Sequence, residues 1–229
     1  RTPLTSIRGA LGLVLGTMFL AMTAAAATVD IPAGTEIFIR TISPDTTHEA
    51  DLISVRKLSG EVRYGVIQFE LSPLVGQVIT SAELILDEIG SAQAGNDANF
   101  PLVSAAYTIG TSANVPDLLA MTWNSYQATY EGQETGVFAG LGAYNLSANG
   151  TSRATRSTYA NAADVAFLQS IVNGSGATVL TMVLKAVDLN NAHAFGDGQA
   201  YGNKAILRVT AGSNEPPNVT AISAEPPNT

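Results

Sequence analysis

Three aromatic side chains lie close together in the middle of the sequence. Trp123 is the only tryptophan, and Tyr126 and Tyr130 follow it closely. Tryptophan and tyrosine present large ring faces that can stack on a sugar ring when they are exposed. Because tryptophan is heavily buried on average, the alternative is that Trp123 packs into the end of a domain, with both tyrosines beside a turn. These three residues are therefore the candidate ligand-binding site.

Oxygen-bearing side chains are concentrated in two polar stretches, which we predict to be long loops, Gly90–Asn99 and Asn190–Asn203. Carboxylate and amide oxygens are the ligands that calcium prefers, and such an ion could stabilise a loop outside the cell. No EF-hand spacing is present, so ordinary solvated loop polarity is the alternative. The candidate calcium ligands are Asp97, Asp188, Asn190 and Asp197.

The residue types used by nucleophilic and zinc enzymes are scarce. Cysteine is absent, which excludes a thiolate nucleophile, a zinc–thiolate site and a disulfide framework. His48 and His193 are the only histidines, and neither has a partner at metal-ligand spacing. No G-x-S-x-G motif nominates a nucleophilic serine. These absences argue against an enzyme.

Pairs of carboxylates are the remaining catalytic candidates. Glycoside hydrolysis needs two carboxyl groups about 5–9 Å apart across a cleft. Examples of such pairs in the sequence are Glu131 with Glu134, and Asp87 with Glu88. Neighbours on a strand point to opposite faces, so Asp87 and Glu88 cannot cooperate in this way.

The chain is acidic, with 11 basic and 19 acidic residues and a net charge of −8. Removal of an N-terminal leader would take away Arg1 and Arg8 and lower the net charge to −10. No cluster of lysine and arginine along the sequence would remain to follow a phosphate backbone, which argues against nucleic-acid binding. The acidity favours solubility, with cation binding as a narrower alternative.

The leader itself is predicted over residues 1–27. Arg1 and Arg8 form a basic start, Leu11–Met22 is the strongest apolar block, and Ala25 and Ala27 match an A-x-A cleavage pattern. An uncleaved anchor is the alternative, since about 20 apolar residues can cross a bilayer. The alanine-rich end favours cleavage. The sequence therefore predicts a secreted or cell-surface protein that leaves the membrane after cleavage.

Short β-like segments separated by glycine, proline, asparagine and aspartate make up most of the remaining chain. In one of them, Ile67 and Phe69 lie on the same face. Gln68 and Glu70 lie on the opposite face, which gives the period of two that is typical of a half-buried strand. The predicted strands are Glu36–Ile42, Asp51–Leu58, Val62–Leu71, Ser81–Ile89, Thr178–Val187 and Ala205–Thr210.

One segment, Asn161–Asn173, has the spacing of a helix. Val165 and Leu168 lie on one helical face, Asn161 can cap the start, and Asp164 stands where a capping box requires an acceptor. The Asn173-Gly174 pair can end the helix. We therefore expect one helix of about three turns, the usual length in globular proteins, lying over an edge or end of the sheets.

Together these elements predict an all-β fold, an antiparallel, jelly-roll-like β-sandwich with one short helix. Thr178–Val187 is apolar on both faces, so we expect it to be a central strand that is covered on both sides. The sandwich is expected to span residues 28–212. Residues 213–229 are predicted to be a proline-rich linker followed by the truncated start of a further domain.

Several stretches carry a resemblance to a known family. They are Glu36–Arg40 with Ser43-Pro44, Arg63–Leu71, Ile79–Leu86, the Thr-Trp-Asn turn within Met121–Ser125, Asp164–Gly174 with Thr178–Val187, and Ala205–Thr210. Their order resembles that of the DNRLRE-type domain, a jelly-roll β-sandwich of bacterial secreted and cell-surface proteins that is akin to carbohydrate-binding modules. The resemblance covers the chain from about Thr28 to Ala211, and it implies a sandwich fold with a sugar as candidate ligand.

Three functions are consistent with these observations. The first is a non-catalytic extracellular module that acts as a structural or adhesive unit of a larger secreted or surface protein. The second is a carbohydrate-binding module for an extracellular polysaccharide. The third is a self-assembling surface or filament subunit, in which an open strand edge or residues 214–229 pair with a neighbouring copy. No cofactor is expected apart from the calcium considered above.

Overall fold

The structure is a computed structural model that describes residues 26–48, 52–90, 104–111, 113–137, 154–186, 191–198 and 202–213. The strands are β1 (Ala27–Pro32), β2 (Thr35–Arg40), β3 (Leu52–Leu58), β4 (Glu61–Glu70), β5 (Gln77–Gly90), β6 (Ser104–Ile109), β7 (Thr135–Val137), β8 (Ala154–Tyr159), β9 (Val179–Ala186), β10 (Asn191–Gly196) and β11 (Ile206–Ser213). The helices are α1 (Trp123–Thr129) and α2 (Ala162–Val172), and single 3-10 turns occupy Ser72–Leu74 and Leu118–Ala120.

The strands form two antiparallel layers. Their hydrogen-bonded order is β1-β11-β5-β10-β3-β4-β9-β6-β7, with β2 on the free edge of β4 and β8 on that of β5. One layer contains β1, β11, β5 and β8, and the other contains β2, β4, β9, β6 and β7. β10 and β3 join the two layers, because β10 pairs with the end of β5 and β3 pairs with the start of β4. The predicted antiparallel β-sandwich is confirmed.

The main core lies between the two layers. Its largest side chains come from alternate positions of facing strands, such as Ile67 and Phe69 on β4 and Leu84 on β5, all of which are fully buried. Gln68 is only partly buried and Glu70 is exposed, so the predicted alternation over residues 67–70 is confirmed. The expectation of a solvent-facing side is wrong at Val66, which is fully buried on that side. At Gly65 of β4 the side chains of β3 approach closely, since a Cβ there would overlap the Ile53 side chain.

A second cluster, here called the outer core, covers the opposite face of β4 and β9. Residues 113–134, here called the outer segment, lie across this face and bury apolar side chains against it. β9 is therefore covered on both sides, as its apolar sequence predicts. The outer core consists of Ile37, Ile39, Val66, Ile109, Leu118, Met121, Tyr126 and Val183.

Helix α2 forms where its sequence predicts. The Asn161 side chain accepts hydrogen bonds from the main-chain N–H groups of Ala163 and Asp164, and the Asp164 carboxylate accepts one from the Asn161 N–H at 2.9 Å. This reciprocal capping box satisfies donors that a helix start otherwise leaves unpaired. Leu168 and Val172 then pack into the main core. No helix among the described residues is long and apolar enough to cross a membrane.

Two local predictions are wrong. Asn190–Asn203 was expected to be a loop, but Asn191–Gly196 is strand β10, which pairs with β3 and β5. His193 and Phe195 are buried on one face of it, and a histidine in an apolar position hid the alternation. The Thr-Trp-Asn stretch was expected to be a turn, but it begins helix α1.

Other predictions fall outside the described residues. These are the leader up to residue 25, the loop over residues 91–99, and the linker and further domain from residue 214 onwards. The sequence also gave no indication of β1, β6, β7 or β8, which are short or lie next to polar stretches.

Candidate functional site

Helix α1 places the aromatic residues on the outer face of the sandwich. Thr122 caps the helix, because its hydroxyl accepts from the Ser125 N–H at 3.1 Å while the Ser125 hydroxyl accepts from the Thr122 N–H at 2.9 Å. The Asn124 side chain donates to Asp45 at 2.7 Å, and its main-chain N–H donates to the Pro44 carbonyl. These bonds fix where a helix of only seven residues begins, and such a helix would not be stable alone.

The three predicted residues lie in one aromatic cluster, but they are not equally accessible. Trp123 and Tyr130 are partly exposed, whereas Tyr126 is fully buried in the outer core. Tyr64, from β4, completes the cluster: its ring lies 4.9 Å from that of Trp123, tilted by 44°, and meets the Tyr126 ring edge-on at 5.6 Å. The Tyr126 and Tyr130 rings are 6.1 Å apart. Tyr126 therefore supports the other rings and has no free face.

A lysine occupies the centre of this cluster. Lys185 lies at the end of the outward-facing row of β9, and its ammonium group is 4.6 Å from the Tyr64 ring centroid and 5.3 Å from that of Tyr126. The Tyr107 ring, from β6, is 5.7 Å away. Rings at such distances attract a cation through their negative faces. Lys185 thus organises rings that come from three separate parts of the chain.

The same lysine binds both members of the carboxylate pair that the sequence suggested. Its ammonium donates to Glu131 at 3.0 Å and also to Glu134. Glu134 accepts two further hydrogen bonds, from the Tyr126 hydroxyl at 2.6 Å and from the Gly132 N–H at 2.9 Å. The end of the outer segment is therefore attached to β9 through this ion pair. Both partners are mostly buried, with 14% of the Lys185 side chain and 11% of the Glu134 side chain exposed.

The charges in this cluster are fixed by their neighbours. Burial alone would raise the pKa of Glu134, but the hydrogen bonds from Lys185 and Tyr126 outweigh it and the pKa is lowered. Burial would likewise lower the pKa of Lys185, but the bonds to Glu134 and Glu131 raise it. The pKa of Tyr126 is raised by burial and by Glu134. At neutral pH the cluster holds one ammonium, an ionised Glu134 and a neutral phenol. None of these three groups changes its charge near pH 7.

A second contact holds the other end of the outer segment. The Gln68 side chain, on β4, donates to the Pro116 carbonyl at 2.6 Å and to the Thr181 hydroxyl at 3.1 Å. Gln68 and Lys185 therefore attach the segment at both ends of the outer core. Tyr64 and Lys185 are not evident as site residues in the sequence, because a residue's partner across a sheet is set by strand register and is not visible in local spacing.

The calcium prediction is largely beyond the described residues. Asp97, Asp188 and Asn190 lie outside them. Asp197 lies just after β10, where it is buried and close enough to Glu36 to raise the pKa of that carboxyl. Among the described residues, no group of three or more histidines and carboxylates is arranged to hold a metal ion. Calcium binding at the four residues stays a prediction.

Removing Lys185 should destabilise the fold. In Lys185→Met, Glu134 loses its counter-ion while it stays mostly buried, and we expect the free energy of unfolding to fall by about 2–4 kcal/mol. Urea denaturation of the purified protein measures this change. Glu131→Gln is the matched variant: Glu131 is 36% exposed, so the expected loss is under about 1 kcal/mol. Equal losses in both variants would contradict the assigned role of Glu134.

Glu36 should make stability depend on pH. Burial raises its pKa from 4.5 to about 7, although the Ala205 N–H and Lys204 act in the opposite direction. The folded state therefore binds this proton more tightly than the unfolded state. The resulting stability is fully present below pH 4.5 and is lost as the pH rises through about 7.

Denaturation of Glu36→Gln at pH 4.5 and pH 8 tests this dependence. We expect the free energy of unfolding of the unsubstituted protein to fall over this interval by about 1–2 kcal/mol more than that of the variant, after allowing for solvent screening. Glutamine can still accept from the Ala205 N–H. Identical pH profiles for the two proteins would contradict the assignment.

Comparison with known proteins adds no relative from which a role could be transferred. No family model matches the chain, and no curated protein matches it. The resemblance to the DNRLRE-type domain therefore stays a prediction from the sequence.

Proposed function

We propose that this chain is a non-catalytic extracellular module that acts as a structural or adhesive unit of a larger secreted or surface protein. The observation that carries the proposal is the attachment of the outer segment to the sheet through Lys185. Its two carboxylate partners, Glu131 and Glu134, are the pair that the sequence offered for acid–base chemistry, and both bind this one lysine. Because both carboxylates attach the outer segment to the sheet, their position supports a structural role.

Glycoside hydrolysis by Glu131 and Glu134 would require different protonation states. One carboxyl group must hold a proton near neutral pH, and the other must face the sugar as a free carboxylate. Here Lys185 and Tyr126 hold the pKa of Glu134 below its usual value even though burial opposes them. A carboxylate that is ionised and hydrogen-bonded by three donors is a poor general acid. The pair therefore fits a structural ion pair better than a catalytic one.

A turnover screen tests the non-catalytic part of this proposal. The purified protein is incubated with a panel of neutral and acidic polysaccharides, and new reducing ends are counted against a heat-denatured control. We expect equal counts for native and denatured protein on every substrate. Turnover by native protein that disappears in Glu134→Gln, with the fold intact by circular dichroism, would contradict the proposal.

Carbohydrate binding is the second candidate function, and the partial exposure of Trp123 favours it. Its ring and the partly exposed Tyr64 ring lie 4.9 Å apart on the outside of the sandwich, with Tyr130 also partly exposed in the same cluster. The buried Tyr126 ring and the partly buried Lys185 ammonium contact the Tyr64 ring and hold it in place. Rigid aromatic rings at a surface suit stacking on a sugar because little conformational freedom is lost on binding. The candidate platform is therefore Tyr64, Trp123 and Tyr130.

Substitution of Trp123 tests the platform. If a polysaccharide binds, Trp123→Ala should weaken binding by about tenfold or more, which corresponds to about 1.4 kcal/mol. Tyr159→Ala is the matched control, since Tyr159 is 66% exposed on β8 and belongs to the other layer. Affinity electrophoresis of both variants gives the comparison. Equal weakening by both substitutions, or none by Trp123→Ala, would contradict the platform.

A further inference from the structure

Strand register places three arginines side by side at one end of the sandwich. Arg63 on β4 pairs with Arg40 on β2 and with Arg56 on β3. β2 and β3 lie on opposite edges of β4, so the three side chains form a lateral row, here called the arginine row. Paired residues of adjacent antiparallel strands have Cβ atoms about 4.5–5.5 Å apart. Like charges placed directly opposite each other destabilise a sheet.

One carboxylate among the described residues pairs with the arginine row. Glu61 accepts from Arg56 at 2.7 Å and from the Nε of Arg63 at 2.7 Å. Within the described ranges, Arg40 has only a 3.3 Å contact with the hydroxyl of Ser43. Its charge is thus left without a counter-ion in the part of the chain that the structure describes.

Several side-chain nitrogen atoms in this region are buried and have no hydrogen-bond partner among the described residues. They are the Nε atoms of Arg40 and Arg56 and the Nε2 atom of His48. A buried donor left unsatisfied costs about 1–3 kcal/mol, so native proteins rarely keep several together without a ligand, ion or water. The arginine row therefore combines excess positive charge with unused donors.

Aromatic and polar neighbours hold Arg63, the middle residue of the row, in place. The guanidinium of Arg63 lies 5.5 Å from the centroid of the Phe38 ring, which stacks on the His48 ring at 4.8 Å. The Arg63 guanidinium also contacts the Ser54 hydroxyl at 3.4 Å. The side chains of Arg56 and Arg63 are each 19% exposed, so a small ligand can still approach them from solvent.

From this arrangement we propose that the arginine row, Arg40, Arg63 and Arg56, binds a tetrahedral oxyanion, the sulfate or phosphate group. A single arginine fork satisfies a carboxylate in a bidentate manner. Three guanidinium groups from three neighbouring strands instead suit a group with three or four acceptor oxygens. The sulfate or phosphate is either a free ion or an ester carried by a glycan. This site is independent of the aromatic platform and of the function proposed above.

His48 provides a direct readout. Its pKa is lowered by burial and then by the charges of Arg40 and Arg63. The ring that stacks on His48 is that of Phe38, which carries no charge. An anion bound between the arginines offsets their charge, so the pKa of His48 should rise on binding.

The second of the two histidines serves as the internal control. His193 lies on β10, where it is buried beside Phe195 of the same strand and Glu88 of β5.

The first experiment is a proton NMR titration of both histidines in the purified protein. Sodium sulfate and sodium phosphate are compared with sodium chloride at matched ionic strength. We expect the His48 resonance to shift with saturation and its pKa to rise in sulfate or phosphate, while His193 stays unchanged. Equal responses to all three salts would indicate ordinary screening and would overturn the proposal.

Arg40→Gln tests the row itself. Arg40 makes no ion pair with Glu61, so its loss leaves the structural bonds of Arg56 and Arg63 intact. We expect oxyanion affinity to fall at least tenfold and, without oxyanion, the melting temperature to stay equal or rise as repulsion is relieved. Arg208→Gln removes the same charge from an exposed pair with Asp30 and should keep the affinity. Unchanged affinity in Arg40→Gln would overturn the proposal.

The source of the oxyanion is resolved by dextran sulfate against neutral dextran. Binding of dextran sulfate that free sulfate displaces, and that Arg40→Gln loses, assigns the site to a glycan ester. Response to free sulfate or phosphate alone assigns it to a small ion. Trp123→Ala should affect neither result, so failure of the aromatic platform and failure of the arginine row are distinguishable. Dextran sulfate binding that persists equally in Arg40→Gln would count against the row.

Discussion

The structure depends on the burial of β9 on both faces. Met182 and Leu184 point into the main core, while Val183 points into the outer core. A fully buried side chain of this size contributes about 1.5–3 kcal/mol, so leaving either face open to water would cost a large part of the stability of an ordinary domain. The outer segment is therefore a necessary layer of the fold. Without it, this central strand would expose an apolar face.

The positions of the charged and aromatic groups follow from the need to cover the outer face of β9. The outward row of β9 ends at Lys185, which must reach counter-ions at the rim of the outer core, and Glu131 and Glu134 supply them. The rings around the ammonium lie where the outer segment meets the sheet. The candidate sugar platform thus uses rings that the fold already needs. The arginine row differs, because its repulsion and unused donors give the fold no evident benefit.

Local sequence patterns predicted what depends on local physics. The alternation in β4, the Asn161 capping box and the doubly apolar β9 were all evident, and together they indicated the sandwich. Long-range pairing was not evident. Tyr64 meets Trp123, and Arg40 meets Arg63, only because strand register brings them together. Strand β10 was missed because a buried histidine appears polar in the sequence.

Native-state hydrogen exchange tests the central claim most directly, namely that the outer segment is an integral layer of the sandwich. The amide of Tyr130 donates to the Tyr126 carbonyl within the outer segment, and the amides of β9 pair with β4 and β6. We predict that the Tyr130 and β9 amides exchange with the same free energy, equal to that of global unfolding. Exchange of Tyr130 at a much lower free energy, while β9 stays protected, would contradict the claim.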